Sequence, residues 1–264
     1  MTDGAAGVAD VLFNQAETYV GLRRFPEALR KCDQVLNITP DDVNIIAHKA
    51  AIAQAEGDLP RAAALLAPLH PGNTDALETQ VYQAILERRP APIIPRLKEI
   101  LAKADPALMG PDIGALRFSL GWAQEVAGDH AAARESWRQA RNEMEPFLKE
   151  QPENDSLMGD LALTNMGLGD KAAALALSER AMAVSPIEKD AMLGYISIAI
   201  LARVAAQMGE PDRAIAALEK LLSVPGHDRQ ILLPLTPALL RLDPMFDPLR
   251  KDPRFQKLCQ QKQP

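Results

Sequence analysis

Residues 161–186 read LALTNMGLGDKAAALALSERAMAVSP, and the chemistry of this stretch decides the fold. An apolar-periodic run breaks at Gly169-Asp170, resumes around Ala174 and Ala181, and stops at Pro186. Glycine takes the left-handed conformation that ends one helix, and the aspartate after it caps the start of the next. Alanine at Ala174 lets the two helices cross closely, and proline cannot continue the second. The stretch therefore reads as a helix, a tight turn and a helix.

The same punctuation recurs in both directions. Gly57-Asp58, Gly128-Asp129 and Gly209-Glu210 are each followed by a small residue, Ala62, Ala133 and Ala214, and second helices end at Pro40, Pro186 and Pro225. Self-similarity of this kind is the signature of a solenoid. The pattern resembles the tetratricopeptide repeat, whose period is about 34 residues. Six units are expected, at 9–42, 43–73, 74–106, 114–152, 155–188 and 195–225. The first carries Leu12, Ala16, Tyr19, Phe25, Ala28, Val35 and Pro40, whereas the third is degenerate because Arg88-Arg89-Pro90 replaces its glycine turn. Gly128, Gly169 and Gly209 are spaced about two helical turns too widely for the period, which predicts longer helices over Arg134–Glu150 and Asp190–Met208. The expected architecture is all-α, a right-handed superhelix with a C-terminal helical cap.

Residues 226–264 stop repeating and are expected to form that cap, while 1–8 read as a flexible leader. Asp243-Pro244, Asp247-Pro248 and Asp252-Pro253 are start signals for short helices, with Asp as cap and Pro at the first helical position. With Leu239, Phe246, Leu249, Phe255 and Leu258 they are expected to fold over the exposed end of unit six, since terminal units of a solenoid need covers. The segment LRLDPMFDPLRKDPRFQKL, residues 240–258, also resembles the closing motif of tetratricopeptide regions in bacterial multidomain signalling proteins. In those proteins the array follows a Ser/Thr kinase, a nucleotide cyclase or a winged-helix regulator. The resemblance spans roughly Leu157 to Leu258 and implies a fragment or a stand-alone relative, with a regulatory or oligomerising role as the alternative function.

Composition narrows the partners. The net charge is −6 and no Lys/Arg-rich run occurs, so a nucleic-acid partner is not expected. The longest uncharged apolar stretch, Ala191 to Ala202, is short of the roughly 20 residues that span a bilayer. No basic, apolar leader marks secretion, and a cytoplasmic location without membrane insertion is the expectation. Cys32 and Cys259 lie far apart and read as reduced thiols on helix faces. His48, His70, His130 and His227 form no metal-ligand spacing and no nucleophile–base order. The glycines come singly, one per turn, rather than as a phosphate loop. No catalytic residue, metal or cofactor is expected, and the chain reads as a non-enzyme.

In the repeat family the concave face is lined by fixed positions of each first helix. Carried over by register, the resemblance places Phe13, Asn14, Glu17, His48, Glu78, Tyr82, Phe118, Trp122, Glu125, Asp160 and Arg203 there. Only Arg203 among them is cationic, so the basic clamp by which chaperone-binding members grip a C-terminal carboxylate is not expected. Aromatics make up only 4% of the chain, and four of them fall on this one surface. Such side chains supply rigid contact area for a partner. The expected function is an interaction scaffold that binds an apolar or basic peptide or protein in the groove, with self-association through outer faces as the competing reading.

Overall fold

The computed structural model describes residues 3–69, 76–226 and 233–261. Six helical hairpins follow one another: α1 (Asp3–Gly21) with α2 (Phe25–Ile38), α3 (Val43–Glu56) with α4 (Leu59–Leu66), and α5 (Leu77–Leu86) with α6 (Ile93–Lys103). After the single turn α7 (Pro106–Met109) come α8 (Asp112–Val126) with α9 (His130–Glu150), α10 (Asp155–Leu168) with α11 (Lys171–Val184), and α12 (Ala191–Gln207) with α13 (Pro211–Ser223). The tail adds α14 (Pro237–Leu242), a 3-10 helix (Pro244–Leu249) and α15 (Pro253–Cys259). Among the described residues every regular element is helical, and the hairpins stack into an α-solenoid of helix–turn–helix repeats. The first helix starts at Asp3, so it runs through most of the segment 1–8 that the sequence suggests is a leader. Helix α9 has 21 residues against 14 in α2, α3, α10 and α11, which accounts for the Gly128–Gly169 spacing. The Gly169–Gly209 spacing comes partly from the 17 residues of α12 and partly from the longer connection 185–190 before it.

All six intra-hairpin turns close in one way. The amide of the residue after the left-handed position donates to the carbonyl five residues back: Asp58 to Ala53, Asp129 to Gln124, Asp170 to Asn165 and Glu210 to Ala205. Arg24 to Tyr19 and Arg89 to Ala84 complete the set. This is the Schellman bond, which satisfies a carbonyl that the helix end leaves without a partner. Gly57, Gly128, Gly169 and Gly209 hold the left-handed position at φ of 73–84°. In the first and third hairpins arginine holds it instead, Arg23 at 56° and Arg88 at 58°. Asp58, Asp129 and Asp170 then cap the second helices through side-chain bonds of 3.1 Å to Arg61, Ala132 and Ala173 amides. Ala28, Ala62, Ala133, Ala174 and Ala214 are fully buried where the paired helices cross.

Close approach has a second device in the middle of the array. The Trp137 indole of α9 lies between Gly121 of α8 and Gly167 of α10, and a Cβ at either glycine would fall 2.4 Å from the ring system. Its Nε1–H donates to the Phe118 carbonyl at 3.3 Å.

The array curls until its ends meet. One apolar cluster joins Ala16 and Phe25 of the first hairpin and Ile52 of the second to Tyr195 and Leu218 of the sixth, together with Leu239, Phe246 and Phe255 of the tail. The Gly226 amide donates to the Gly21 carbonyl at 3.0 Å, tying the end of the sixth hairpin to the turn of the first. A second cluster runs through the middle hairpins, with Val81, Leu97, Phe118, Trp137, Leu163 and Ile200, and takes in Met245 of the tail.

Gly169→Ala is expected to lower stability by about 1 kcal/mol, since it meets open space and adds only left-handed strain. Gly121→Ala is expected to cost more, toward about 3 kcal/mol, because Gly167 backs the indole and the ring has nowhere to move. Chemical denaturation of the two variants checks the order, and equal losses would contradict the wedge.

Candidate functional site

The tail does more than cover unit six. Its α15 packs on α13, but α14 and the 3-10 helix run across the first-helix side of the array, touching α3 and α12. The Thr236 hydroxyl donates to the Ala55 carbonyl of α3, at 2.6 Å, and also caps α14 through the Leu239 amide at 3.1 Å. The Leu235 amide donates to the Tyr195 hydroxyl of α12 at 2.9 Å. Part of the surface expected to face a partner, along α3, α5 and α12, therefore already holds chain.

Asp243 is the centre of that contact. Its side chain is 2% exposed and it is bonded through both carboxylate oxygens. Oδ1 accepts the Met245 amide at 2.9 Å, capping the 3-10 helix. Oδ2 accepts the Tyr82 hydroxyl at 3.1 Å and stands 3.8 Å from Nε of Arg203, itself 3% exposed. The Arg203 guanidinium also donates to the Ala199 carbonyl at 3.2 Å and lies 5.8 Å from the centre of the Phe246 ring. One helical turn on, the Gln207 amide donates to the Met245 carbonyl at 2.8 Å.

Two arginines grip the tail from the edges, and they are the two that replace glycine in the turns. Arg23 is buried and donates to the carbonyls of Leu221 at 2.6 Å, Val224 at 2.9 Å and Leu235 at 3.4 Å. Arg88 makes a forked pair with Asp247, at 2.6 and 2.8 Å, near the surface. Arg250 also donates to Asp247 at 2.6 Å. Burial opposes ionisation of Asp247, but the bonds from Arg88 and Arg250 outweigh it and hold its carboxyl below the ordinary value.

The residues that register places on the concave face separate into three groups. Tyr82 and Arg203 converge on Asp243. Phe118 and Trp122 are buried in the middle cluster, and His48 is buried with the half-buried Phe13 edge-on to it, ring centres 5.2 Å apart. Asn14 and Glu78 remain exposed, while Glu17, Glu125 and Asp160 are half-buried. Glu125 stands 2.9 Å from Nδ1 of His130, beside a cavity of about 140 Å³ also lined by Trp122, Arg134, Trp137 and Gln207. Of the four aromatics Phe118 and Trp122 are packing groups, and Arg203, the one cation of the set, faces the chain's own Asp243 carboxylate. The chain's own segment on this surface brings apolar side chains and two carboxylates, Asp243 and Asp247, whereas the ligand expected from the sequence is apolar or basic.

Sequence reasoning missed Arg23, Asp243 and Asp247 as contact residues and read the aspartates only as helix caps. Asp243 serves both roles at once, and nothing in a cap signal tells which carboxylate is also buried. The one available sign was the arginine where a turn asks for glycine.

Cys32 is fully buried and burial pushes its thiol up to about 11, and the Cys259 thiol is raised by the same cause. Neither has the lowered pKa of a reactive thiolate. His70 and His227 lie outside the described residues. Among the described residues, no cluster of three His, Cys, Asp or Glu side chains is placed to hold a metal ion, and no helix is long and apolar enough to cross a membrane.

Residues 197–226, the sixth hairpin, match the tetratricopeptide repeat family model. No curated protein matches the chain. Among solved structures the chain is similar to the crystal structure of PilW, described as a widely conserved type IV pilus biogenesis factor. The identity is 17% and the TM-score 0.43, over 82% of this chain and 93% of that one.

Arg23→Gly relieves left-handed strain of about 1–2 kcal/mol but deprives buried carbonyls of a charged donor, so a net loss of about 2 kcal/mol or more is expected. Arg88→Gly gives the same relief and loses only a half-exposed pair, so stability is expected to hold or to rise by about 1 kcal/mol. Denaturant midpoints of the two variants check the contrast, and a like effect at both sites would contradict it. The pH dependence has a defined sign as well. Because the folded-state pKa of Asp247 is lowered, its contribution is complete above the ordinary aspartate value near pH 4 and is lost as pH falls through the folded value. The stability gap between the native chain and Asp247→Asn should therefore be flat at neutral pH and shrink below about pH 4, as acid titration of the two unfolding midpoints would show.

Proposed function

We propose that the chain is a non-catalytic protein-interaction scaffold whose partner is a peptide or protein segment bound on the first-helix side of the array. One observation carries this reading. The surface built by α5 and α12 holds a stretch of polypeptide through side chains that reach its carbonyls, its Asp243 carboxylate and its Phe246 ring. A helix face that grips main-chain carbonyls and places apolar pockets beside them has the chemistry of peptide recognition. The tetratricopeptide match at 197–226 supports the same reading, since the α12 half of that match supplies Arg203 and Gln207.

The exposed concave positions give the test. A photo-crosslinking residue at Asn14 or Glu78 is expected to capture a discrete protein partner in cells, and the same residue at exposed Lys98 on the second-helix side is not. Capture only from Lys98, or from none of the three, would overturn the groove reading. Phe118→Ala and Trp122→Ala are unsuitable as binding probes, because both side chains are buried and their loss is expected to cost about 3–5 kcal/mol of stability.

A further inference from the structure

The grip on residues 243–249 is selective in a way that names a ligand. Four side chains from two separate parts of the chain meet on seven residues: Tyr82 of α5 and Arg88 just beyond it, and Arg203 and Gln207 of α12. Tyr82 and Arg203 take the first carboxylate, Gln207 takes the Met245 carbonyl between, and Arg88 takes the second carboxylate four residues on. Met245, Phe246 and Leu249 fill apolar space alongside, all buried. Two cations therefore face two carboxylates at fixed spacing, with aromatic and aliphatic anchors between.

The segment that fills this site is also a weak element in its own right. It is a 3-10 helix of six residues, and runs beyond three or four residues are uncommon because the hydrogen-bond geometry is poor. Pro244 and Pro248 remove two of its amide donors. Its hold on the array comes from the four side chains and the apolar anchors, with Phe246 also meeting Phe255 of α15 at 6.2 Å between ring centres.

We propose that Tyr82, Arg88, Arg203 and Gln207 form a recognition site for an Asp-Pro-apolar-Phe-Asp segment of a partner protein, and that residues 243–249 are its internal occupant, displaced when the partner binds. The proposal rests on the scaffold reading and gives it a ligand. Buried Arg203, with Nε 3.8 Å from Asp243 Oδ2, and the Tyr82 hydroxyl, which donates to the same oxygen, together select a carboxylate at the first position. An apolar peptide lacking the first aspartate, or a basic one, does not fit.

The test uses the full chain and a fluorescein-labelled synthetic peptide of residues 239–250, LLRLDPMFDPLR, followed by anisotropy. Asp243→Ala in the chain loosens the internal occupant and leaves Tyr82 and Arg203 in place. This variant is expected to bind the peptide at least about tenfold more tightly than the native chain. Asp247→Ala loosens only the exposed pair and is expected to strengthen binding several-fold, about two- to fivefold, in the same direction. A peptide with its first aspartate changed to alanine should lose the gain. Equal affinity for the native chain and both variants, or indifference to that peptide change, overturns the proposal.

If Asp243→Ala does not fold, Asp247→Ala and the native chain decide. Saturating unlabelled peptide is expected to speed hydrogen exchange at the chain's own Met245 and Phe246 amides, which Asp243 otherwise holds at 2.9 and 3.1 Å, while α10 amides stay protected. Unchanged exchange means that the peptide sits elsewhere and overturns displacement. A dimer that forms through Asp247→Ala alone, with the segment exchanged between copies, assigns the site to a second copy and overturns the partner. Crosslinks from Asn14 and Glu78 without peptide binding would leave the scaffold standing and remove only this site.

Discussion

The buried carboxylate of Asp243 is the constraint on which the closed form of the array depends. It sits where α5, α12 and the tail meet, bonded to Tyr82, facing Arg203 and capping the helix that follows it. A buried ion pair seldom adds much net stability, because the cost of removing two charges from water offsets their attraction. Its effect lies in specificity. In the observed placement of the tail Asp243 meets Tyr82 and faces Arg203, and a slip by one residue would carry the carboxylate away from both. The stability of the same contact comes from its surroundings, where Phe246, Leu249, Leu239 and Leu240 are buried and each contributes about 1.5–3 kcal/mol.

Arg23 and Arg88 show how that arrangement is written into the repeat itself. Every hairpin needs one left-handed residue, and four of them use glycine at no steric cost. The first and third use arginine, which costs about 1–2 kcal/mol in the backbone. Both arginines reach the tail or the segment leading into it. Non-glycine residues persist in such conformations where the surrounding contacts fix them, and such sites cluster at clamps. What looks like repeat degeneracy in unit three is therefore a place where the turn position was given over to a long side chain that holds the tail.

The repeat was legible because its signals are local. Gly-Asp turns, buried alanines and terminal prolines each act within a few residues, so Gly169-Asp170 and Ala174 can be read without knowing what surrounds them. The long helices α9 and α12 were legible for the same reason, from spacing alone. The meeting of the array's ends was not, because it joins residues distant in the chain, as in the Gly226–Gly21 bond and the Arg23–Leu221 bond, the latter spanning 198 positions. That closure decides the site. It brings α12 across from α3 and α5, and a concave register position such as Tyr82 becomes a buried tail contact rather than an open one. Register correctly marked the side of the helix on which Tyr82 and Arg203 lie, but could not say what stands opposite.

The charge of the groove makes the same point in chemical terms. Counting side chains along the concave register gives Glu17, Glu78, Glu125 and Asp160 against one arginine, which suggests an attraction for basic ligands. Distance and exposure reverse the weighting. Glu78 is exposed, so solvent screens it, whereas Arg203 is buried and its field is screened little. Arg88, which no register position includes, adds a second cation at the edge. Within the chain the Asp243 carboxylate therefore faces Arg203 and the Asp247 carboxylate meets Arg88, while Glu78 stands exposed and Glu125 faces His130.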